Sequence, residues 1–161
     1  MSRAGGEEAY EIFIDGSSRG NPGHAGCGVV IRDAQGNVLL EEGYSLGEMT
    51  NNSAEYNALI IALEQALVLK AESVRVHADS ELLVRQMNGR YRVKHEDLKL
   101  LHGRARQLAS RLKTFSIEHV RREGNRDADR LAQQASGESA KSARSHGQSP
   151  TKPSDRQDKL F

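Results

Sequence analysis

Hydrophobic and polar residues alternate along the first part of the chain. Ile12 and Ile14 fall on one side of a short strand, and Phe13 and Asp15 fall on the other. Two further strands follow, GCGVVIRD and VLLEEGYSL, and the turn sequence DAQGN joins them. Because tight connections reverse the direction of the chain, the pattern predicts three consecutive antiparallel strands.

From Thr50 onward the hydrophobic period changes from two residues to about 3.6. The segment TNNSAEYNALIIALEQALVLK predicts a helix that is capped near Thr50 and has Glu55 in its first turn. The strand SVRVHAD follows, and it ends in Asp79 as the first strand ends in Asp15. A helical crossover lays this fourth strand parallel to the first, so both aspartates are expected at the same end of the sheet.

The remaining pattern completes an α/β domain. A short helix, SELLVRQMNG, is followed by a basic loop and a long helix, DLKLLHGRARQLASRL. Strand five is TFSIEHV, and the last helix, NRDADRLAQQAS, carries Asp129 near its positive end. We therefore predict a mixed five-stranded sheet in the order βββαβαβα with one extra helix, and with helices on both faces.

The chain of 161 residues is long enough for one domain and a tail. The predicted domain covers residues 10–136, after an N-terminal extension of residues 1–9. Residues 137–161 are rich in Ser, Pro, Lys and Gly and lack apolar periodicity, so they are predicted to form a disordered polar tail. There is no apolar run long enough to span a bilayer, no signal peptide and a single cysteine, Cys27. We expect a soluble, monomeric protein in a reducing cytoplasm, with no membrane partner.

Charge is divided unevenly along the chain. Residues 1–84 contain 5 Lys/Arg and 13 Asp/Glu, a net charge of −8, whereas residues 85–130 contain 13 Lys/Arg and 6 Asp/Glu, a net charge of +7. The basic part indicates a polyanionic partner, and the acidic part indicates a cationic one. Solvated helix faces of opposite sign are the alternative explanation.

Four carboxylates fall where this fold can bring them to one edge of the sheet. We call them the acidic quartet: Asp15, Glu55, Asp79 and Asp129. Alone, Asp15 is equally well explained as a strand-end carboxylate that accepts hydrogen bonds from the following turn. Four such groups cannot all ionise at close range without cations. Oxygen-only ligands favour Mg²⁺, with Mn²⁺ as a substitute, and two ions about 3.5–4 Å apart suit phosphodiester hydrolysis.

The segments DGSSRGNPG, TNNSAEYNAL, VHADSELLVRQMNG and NRDADRLA resemble, in order and spacing, the motifs of the type 1 ribonuclease H family. Each segment carries one member of the acidic quartet, and the resemblance covers residues 10–136. It implies a ribonuclease H-like fold. It also implies a metal-dependent endonuclease that cuts the RNA strand of RNA–DNA hybrids and leaves 5′-phosphate and 3′-hydroxyl ends.

The resemblance implies a role for each residue at a matching position. Asp15 matches the carboxylate that bridges two metal ions, Glu55 and Asp79 match ligands of one ion, and Asp129 matches a ligand of the other. Glu55 also matches a residue that contacts a ribose 2′-hydroxyl, the group by which RNA differs from DNA. The implied hybrid-binding positions are Gly16, Asn21, Thr50, Asn51, Asn52, Ser80, Glu81 and His95.

The chain departs from the family at several of these places. Glu81 replaces a frequent glutamine, which leaves its contact open. His95 replaces a frequent asparagine and is either a phosphate contact or an ordinary loop histidine. Arg122 or Glu123 stands near the place of a loop histidine, and we expect His119 to be a packing residue of strand five.

The family's basic protrusion, an extra helix rich in lysine and tryptophan, is absent from this sequence. We expect other basic residues to replace it: Arg90, Arg92, Lys94, Arg104, Arg106 and Arg111. Hybrid binding should then weaken steeply with salt. Two other functions fit the same pattern, a hybrid-binding module without catalysis and an integrase-like nuclease that acts on DNA.

The last five residues, QDKLF, resemble the short peptides that dock on the bacterial sliding clamp. Gln157, Leu160 and Phe161 are the expected contacts, presented by a flexible tether. An incidental chain end is the alternative, because five-residue patterns are common and Asp158 stands where such peptides usually have leucine.

Overall fold

The computed structural model of the protein describes residues 9–147. Five strands form its sheet: β1 Tyr10–Ser18, β2 Gly23–Arg32, β3 Val38–Met49, β4 Ser73–Ala78 and β5 Thr114–His119. Four helices accompany them: α1 Asn51–Val68, α2 Glu81–Met87, α3 Glu96–Ala109 and α4 Arg126–Gly147, which follows a 3₁₀ turn at Arg122–Asn125. None of the helices in this described part is long and apolar enough to cross a membrane.

The sheet is mixed and follows the order β3-β2-β1-β4-β5. β2 pairs antiparallel with both β1 and β3, as the tight turns between them require. β1, β4 and β5 run parallel, because helical crossovers connect them. The predicted fold class is confirmed, including the crossover that lays β4 beside β1.

The two faces of the sheet are covered differently. On one face α1 packs on β1 and β2, and α3 packs on α1. The fully buried side chains of this layer include Ile12, Ile14 and Val29 from the strands and Leu59 and Leu63 from α1. On the other face α4 lies close to β2, and a Cβ on Gly28 would collide with the carbonyl oxygen of Ala128. Gly28 is the pairing partner of Asp15, so its lack of a side chain lets the start of α4 approach β1 at that residue.

The last helix is longer than the sequence predicts. Residues 137–147, expected to be part of a disordered tail, continue α4, and Ser139 and Ala140 are buried. The segment is polar in composition, but Ala, Glu, Lys and Arg are good helix formers, and small residues suffice on its buried side. The domain therefore continues past the predicted boundary at residue 136.

Two further assignments concern residues beyond this range. The clamp-docking residues Gln157, Leu160 and Phe161 lie outside the described residues, as do residues 1–8 of the N-terminal extension. Both assignments stay predictions.

Candidate active site

All four members of the acidic quartet come together beside the end of β4. One carboxylate oxygen from each of Asp15, Glu55 and Asp79 lies within 4.8 Å of the other two. The Asp129 carboxyl lies within hydrogen-bonding reach of Asp15. The fold therefore assembles, from four separate motifs, the single acidic edge that the sequence predicts.

Backbone pairing aligns the two aspartates of the central strands. The parallel ladder between β1 and β4 ends at Ile14 and Ala78, so Asp15 and Asp79 follow at the same level. The sequence predicts that β1 ends at Asp15, but β1 continues to Ser18 in its pairing with β2. Asp15 is therefore held in rigid backbone on one side while its other side faces the end of β4.

A close helix contact brings Glu55 to the same place. Glu55 is the fifth residue of α1, so it lies just after the first turn and not within it. A Cβ on Gly16 would collide with the backbone of Ala54. The glycine next to Asp15 thus allows α1 to approach β1 closely enough for Glu55 to reach the aspartates.

The acidic quartet is unfavourable without cations. Asp15 is 5% exposed and Glu55 is 9% exposed. Burial, followed by the charges of Glu55 and Asp79, raises the pKa of Asp15 to about 10. Burial, followed by the charge of Asp79, raises the pKa of Glu55 to about 8. Glu55 Oε1 is buried without a hydrogen-bond partner among the described residues, and such an oxygen needs a cation or a donor, so the site fits a metal ion.

The available ligands favour a hard cation. Cys27 is buried near the acidic quartet, and burial, followed by the charges of Glu55 and Asp15, raises the pKa of its thiol to about 12. A thiol that stays protonated does not ligate metal. The remaining ligands are carboxylate oxygens, which suit Mg²⁺ or Mn²⁺ better than Zn²⁺.

The asparagines predicted to bind substrate form a network with the turn between β1 and β2. Asn51 Oδ1 accepts a hydrogen bond from the backbone amide of Ser18 at 2.8 Å, and Asn21 Oδ1 accepts one from the backbone amide of Asn51 at 3.1 Å. Both amide oxygens are engaged, which leaves the two NH₂ groups as donors for a ligand. Asn52 is exposed next to them, and Thr50 caps α1 by accepting from the Ser53 amide at 3.1 Å.

α4 supports the same turn from its other side. Arg19 Nε donates to Ser136 Oγ at 3.1 Å, and Gln133 Nε2 donates to Ser17 Oγ at 3.1 Å. Ser136 is fully buried. The second half of α4 therefore helps to hold the turn that carries Asn21.

The other predicted substrate residues stand at helix starts. Ser80 caps α2 by accepting from the Leu83 amide at 3.2 Å. Glu81 pairs with Arg85 at 2.7 Å, and the hydrogen bond from Arg85 lowers the pKa of the Glu81 carboxyl. His95 occupies the N-cap position of α3, where it is exposed and makes no capping hydrogen bond.

His119 is not a packing residue, so that expectation from the sequence is wrong. Its side chain is exposed and lines a cleft of about 270 Å³ together with Asp79, Arg121, Arg122 and Glu123. Alternation places it on the side of the buried Ile117, but β5 is an edge strand that ends at His119, so the side chain emerges at the acidic edge. The signal in the sequence is the place of His119 near the end of the fifth strand. There it pairs with Ala78, the residue before Asp79.

Asn125 is a site residue that the sequence alone does not reveal. Its Nδ2 donates to the carbonyl oxygen of Ile14 at 2.8 Å, within the protein interior. This bond joins the start of α4, which carries Asp129, to the strand residue next to Asp15. In the sequence an asparagine before a helix indicates only an N-cap, so nothing distinguished Asn125 from an ordinary helix start.

The sequence comparisons agree with this arrangement. Residues 13–135 match the model of the reverse transcriptase-like family. The chain is 47% identical over 133 residues to the bifunctional protein Rv2228c of Mycobacterium tuberculosis, a match that covers 82% of this chain but 36% of that protein. It is 41% identical over 123 residues to ribonuclease HI of Halobacterium salinarum, covering 76% of this chain and 62% of that relative. The chain thus spans less than two thirds of the length of either relative.

Solved structures give the same result for the domain itself. The N-terminal RNase H domain of Rv2228c matches with a TM-score of 0.81 and 45% identity, covering 84% of this chain and 99% of that one. LC11-RNase H1, solved in complex with an RNA/DNA hybrid, matches with a TM-score of 0.76 and 42% identity, covering 81% and 99%.

Proposed function

Because this chain belongs to the type 1 ribonuclease H family, we propose that it is an endonuclease that hydrolyses the RNA strand of RNA–DNA hybrids and leaves 5′-phosphate and 3′-hydroxyl ends. The observation that carries the proposal is the acidic quartet, in which three carboxylates meet within 4.8 Å and Glu55 Oε1 has no partner among the described residues. Repulsion between buried carboxylates opposes folding, so a cluster with strongly raised pKa values is expected mainly where a function requires it.

The acidic quartet suits two Mg²⁺ ions, with Mn²⁺ as a substitute. Asp15, Glu55 and Asp79 would hold one ion, and Asp15 and Asp129 would hold the second. Bound ions would polarise the scissile phosphate and lower the pKa of the attacking water. The chain itself fixes the ligands: the β1–β4 ladder aligns Asp15 with Asp79, and Asn125 ties α4 to β1.

The asparagine network supports recognition of the hybrid without regard to sequence. Asn21 and Asn51 offer NH₂ donors, because both of their oxygens accept backbone amides. Every base pair presents acceptor atoms in the minor groove, so donors there bind any sequence. Glu55 would add the selection for RNA by accepting a hydrogen bond from a ribose 2′-hydroxyl.

Arg122 and His119 flank the acidic quartet and are suited to the phosphate next to the cut. Burial raises the pKa of Glu55, and the positive charge of Arg122 opposes this rise, so the guanidinium acts on the quartet directly. His119 lines the cleft beside Asp79. Glu123 lines the same cleft, but its negative charge disfavours a phosphate contact, which makes Arg122 the better candidate for the place of the loop histidine.

Cleavage of a strand-labelled hybrid tests the proposed function. We expect cutting of the RNA strand alone, with Mg²⁺ or Mn²⁺ and not with chelator, and no cutting of duplex DNA. Asp15→Asn and Asp129→Asn should abolish it. Asp127→Asn is the matched control, because Asp127 lies two residues from Asp129 in the first turn of α4 but pairs with Arg32 and Arg130. Binding without cutting would favour a hybrid-binding module, and cutting of duplex DNA would favour an integrase-like nuclease.

The proposed partner and location need separate tests. Docking of Gln157, Leu160 and Phe161 on a bacterial sliding clamp predicts that the full chain binds the clamp more tightly than residues 1–147 do. A chain that stops at residue 137 is not a suitable control, because the cut would fall inside α4. Equal binding of the two chains would contradict the docking proposal.

The free, buried thiol of Cys27 supports a reducing cytoplasm.

A further inference from the structure

A second concave surface lies away from the acidic quartet, where the end of α2 and the following loop face α3. This cleft, which we call the α2–α3 cleft, has a volume of about 620 Å³. The side chains that define its chemistry are Tyr91, Arg92, Lys99, His102, Arg106 and Phe115. Of the described residues that line it, none is acidic, so the cleft suits an anion.

Two of its basic residues already have a structural role. His102 Nε2 lies 3.3 Å from the carbonyl oxygen of Gln86, and Arg106 Nη1 donates to the carbonyl oxygen of Met87 at 2.9 Å. The last carbonyls of a helix carry partial negative charge, and the Arg106 guanidinium offsets it at the end of α2, where the His102 ring also lies. Without them, that helix end would repel an anion from the cleft.

Arg92 and Lys99 remain available for a ligand. The backbone carbonyl of Arg92 accepts a hydrogen bond from the buried Gln86 side chain at 3.3 Å, so the loop is anchored while the Arg92 side chain is exposed. Lys99 pairs with Glu96 at 3.1 Å on the surface of α3. Exposed pairs of this kind contribute little free energy, and a phosphate can replace the carboxylate.

Tyr91 adds an aromatic surface next to these charges. The Arg85 guanidinium lies 5.2 Å from the centre of its ring, and Glu81 holds Arg85 in turn at 2.7 Å. The ring is thus supported on one side, yet 49% of the residue is exposed. A supported aromatic ring beside basic side chains is the arrangement that binds single-stranded nucleic acid by base stacking, whereas a duplex keeps its base faces inside its own stack.

We propose that the α2–α3 cleft binds a single-stranded segment that flanks the hybrid, with a base stacked on Tyr91 and its phosphates on Arg92 and Lys99. The inference rests on the proposed function for the source of that segment. The seven residues of α2 separate Ser80 from the cleft, a distance of about 10 Å. A strand that leaves the acidic quartet covers this distance in about three nucleotides. Stacking and phosphate contacts suit DNA and RNA equally.

Binding of fluorescent hybrids in chelator tests the cleft without relying on catalysis. The hybrids share one duplex core and are either blunt or carry a single-stranded extension of DNA or RNA at either end. We expect at least one extension to tighten binding about 5- to 20-fold. A gain with the DNA extension, the RNA extension or both supports the proposal and identifies the strand.

Variants of the loop localise the effect. Tyr91→Leu and Arg92→Ala should remove the gain from the extension, and Tyr91→Phe should keep it because the ring remains. Lys113→Ala is the control, because Lys113 is an exposed basic residue that does not line the cleft and is not among the residues expected to bind the hybrid. No gain for any extension, or an equal gain in wild type and Tyr91→Leu, would overturn the proposal. Loss of RNA cleavage with the gain retained would instead count against the proposed function alone.

Discussion

The backbone amide of Asn51 donates a hydrogen bond to Oδ1 of Asn21 at 3.1 Å, so one of the two asparagines proposed to bind the hybrid orients the other. Oδ1 of Asn51 is engaged in turn by the amide of Ser18. These two bonds favour donation to a ligand, because each Oδ1 already accepts a backbone amide and each NH₂ group is left as a donor.

Replacement of Asn51 separates its structural role from its role in binding. Asn51→Asp keeps an acceptor for the Ser18 amide and places a negative charge at the start of α1, where it is favourable, so the free energy of unfolding should change by less than about 0.5 kcal/mol. Its KM for hybrid should rise at least about tenfold, because a donor is lost and a charge faces a polyanion. Asn51→Ala should lose about 1 kcal/mol of stability as well. If Asn51→Asp had the KM of the wild type, the Asn51 NH₂ group would not be a donor to the hybrid.

The stability of the metal-free protein should fall as pH rises. Burial, followed by neighbouring carboxylate charges, raises the pKa of Asp15 to about 10 and that of Glu55 to about 8. The folded protein therefore keeps protons that the unfolded chain releases at about pH 4, and stability is lost between about pH 4 and pH 10. Thermal unfolding in chelator should show a falling Tm over this range, and Mg²⁺ or Asp15→Asn should reduce the fall. A Tm in chelator that rises with pH would contradict this account.

Asn125 should control the metal affinity of the site. Asn125→Ala removes the bond to the Ile14 carbonyl, so α4 and Asp129 are less firmly held against β1, and stability should fall by about 1–2 kcal/mol. The Mg²⁺ concentration for half-maximal cleavage should rise several-fold. Asn88→Ala is the control, because it loses a comparable bond to the Ile117 carbonyl at a distance of 3.2 Å. Equal metal dependence in the two variants would assign Asn125 a purely structural role.

His119→Ala distinguishes an active-site residue from a packing residue. His119 is exposed, so the variant should unfold with a free energy within about 0.5 kcal/mol of the wild type, whereas kcat for hybrid cleavage should fall several-fold. Chemical denaturation and steady-state kinetics measure the two effects. A destabilisation of about 2 kcal/mol with unchanged kcat would restore the packing role that the sequence suggests.

The extent of α4 predicts where the domain can be shortened. Residues 1–147 should unfold at the same temperature as the full chain, whereas residues 1–136 should unfold several degrees lower. The shorter chain lacks the buried Ser139 and Ala140 and ends at Ser136, the partner of Arg19, where a helix terminus frays. Differential scanning calorimetry of the three chains makes the comparison. Equal Tm values for all three would show that residues 137–147 contribute nothing to stability.

The sequence by itself determined the sheet and the acidic quartet. The order of strands and helices follows from patterns among residues that are close in the chain. Examples are the alternation along Ile12–Asp15, the change to helical period at Thr50 and the motif around Asp79. The quartet was predictable for the same reason, because each carboxylate has a specific place in a strand or at a helix start. The polar composition of residues 137–147 was misleading, because a helix that packs through small residues needs no apolar pattern.

Only the tertiary structure decided which atoms of these residues face a ligand. The oxygens of Asn21 and Asn51 are engaged by amides that lie 30 and 33 residues away in the chain, and no local pattern specifies such bonds. His119 shares the period of a core residue, but it emerges at the acidic edge because its strand lies at the side of the sheet and ends there. Asn125 and the α2–α3 cleft likewise depend on segments that meet only when the chain folds. Local sequence sets the elements, and the contacts between distant elements set the chemistry of the site.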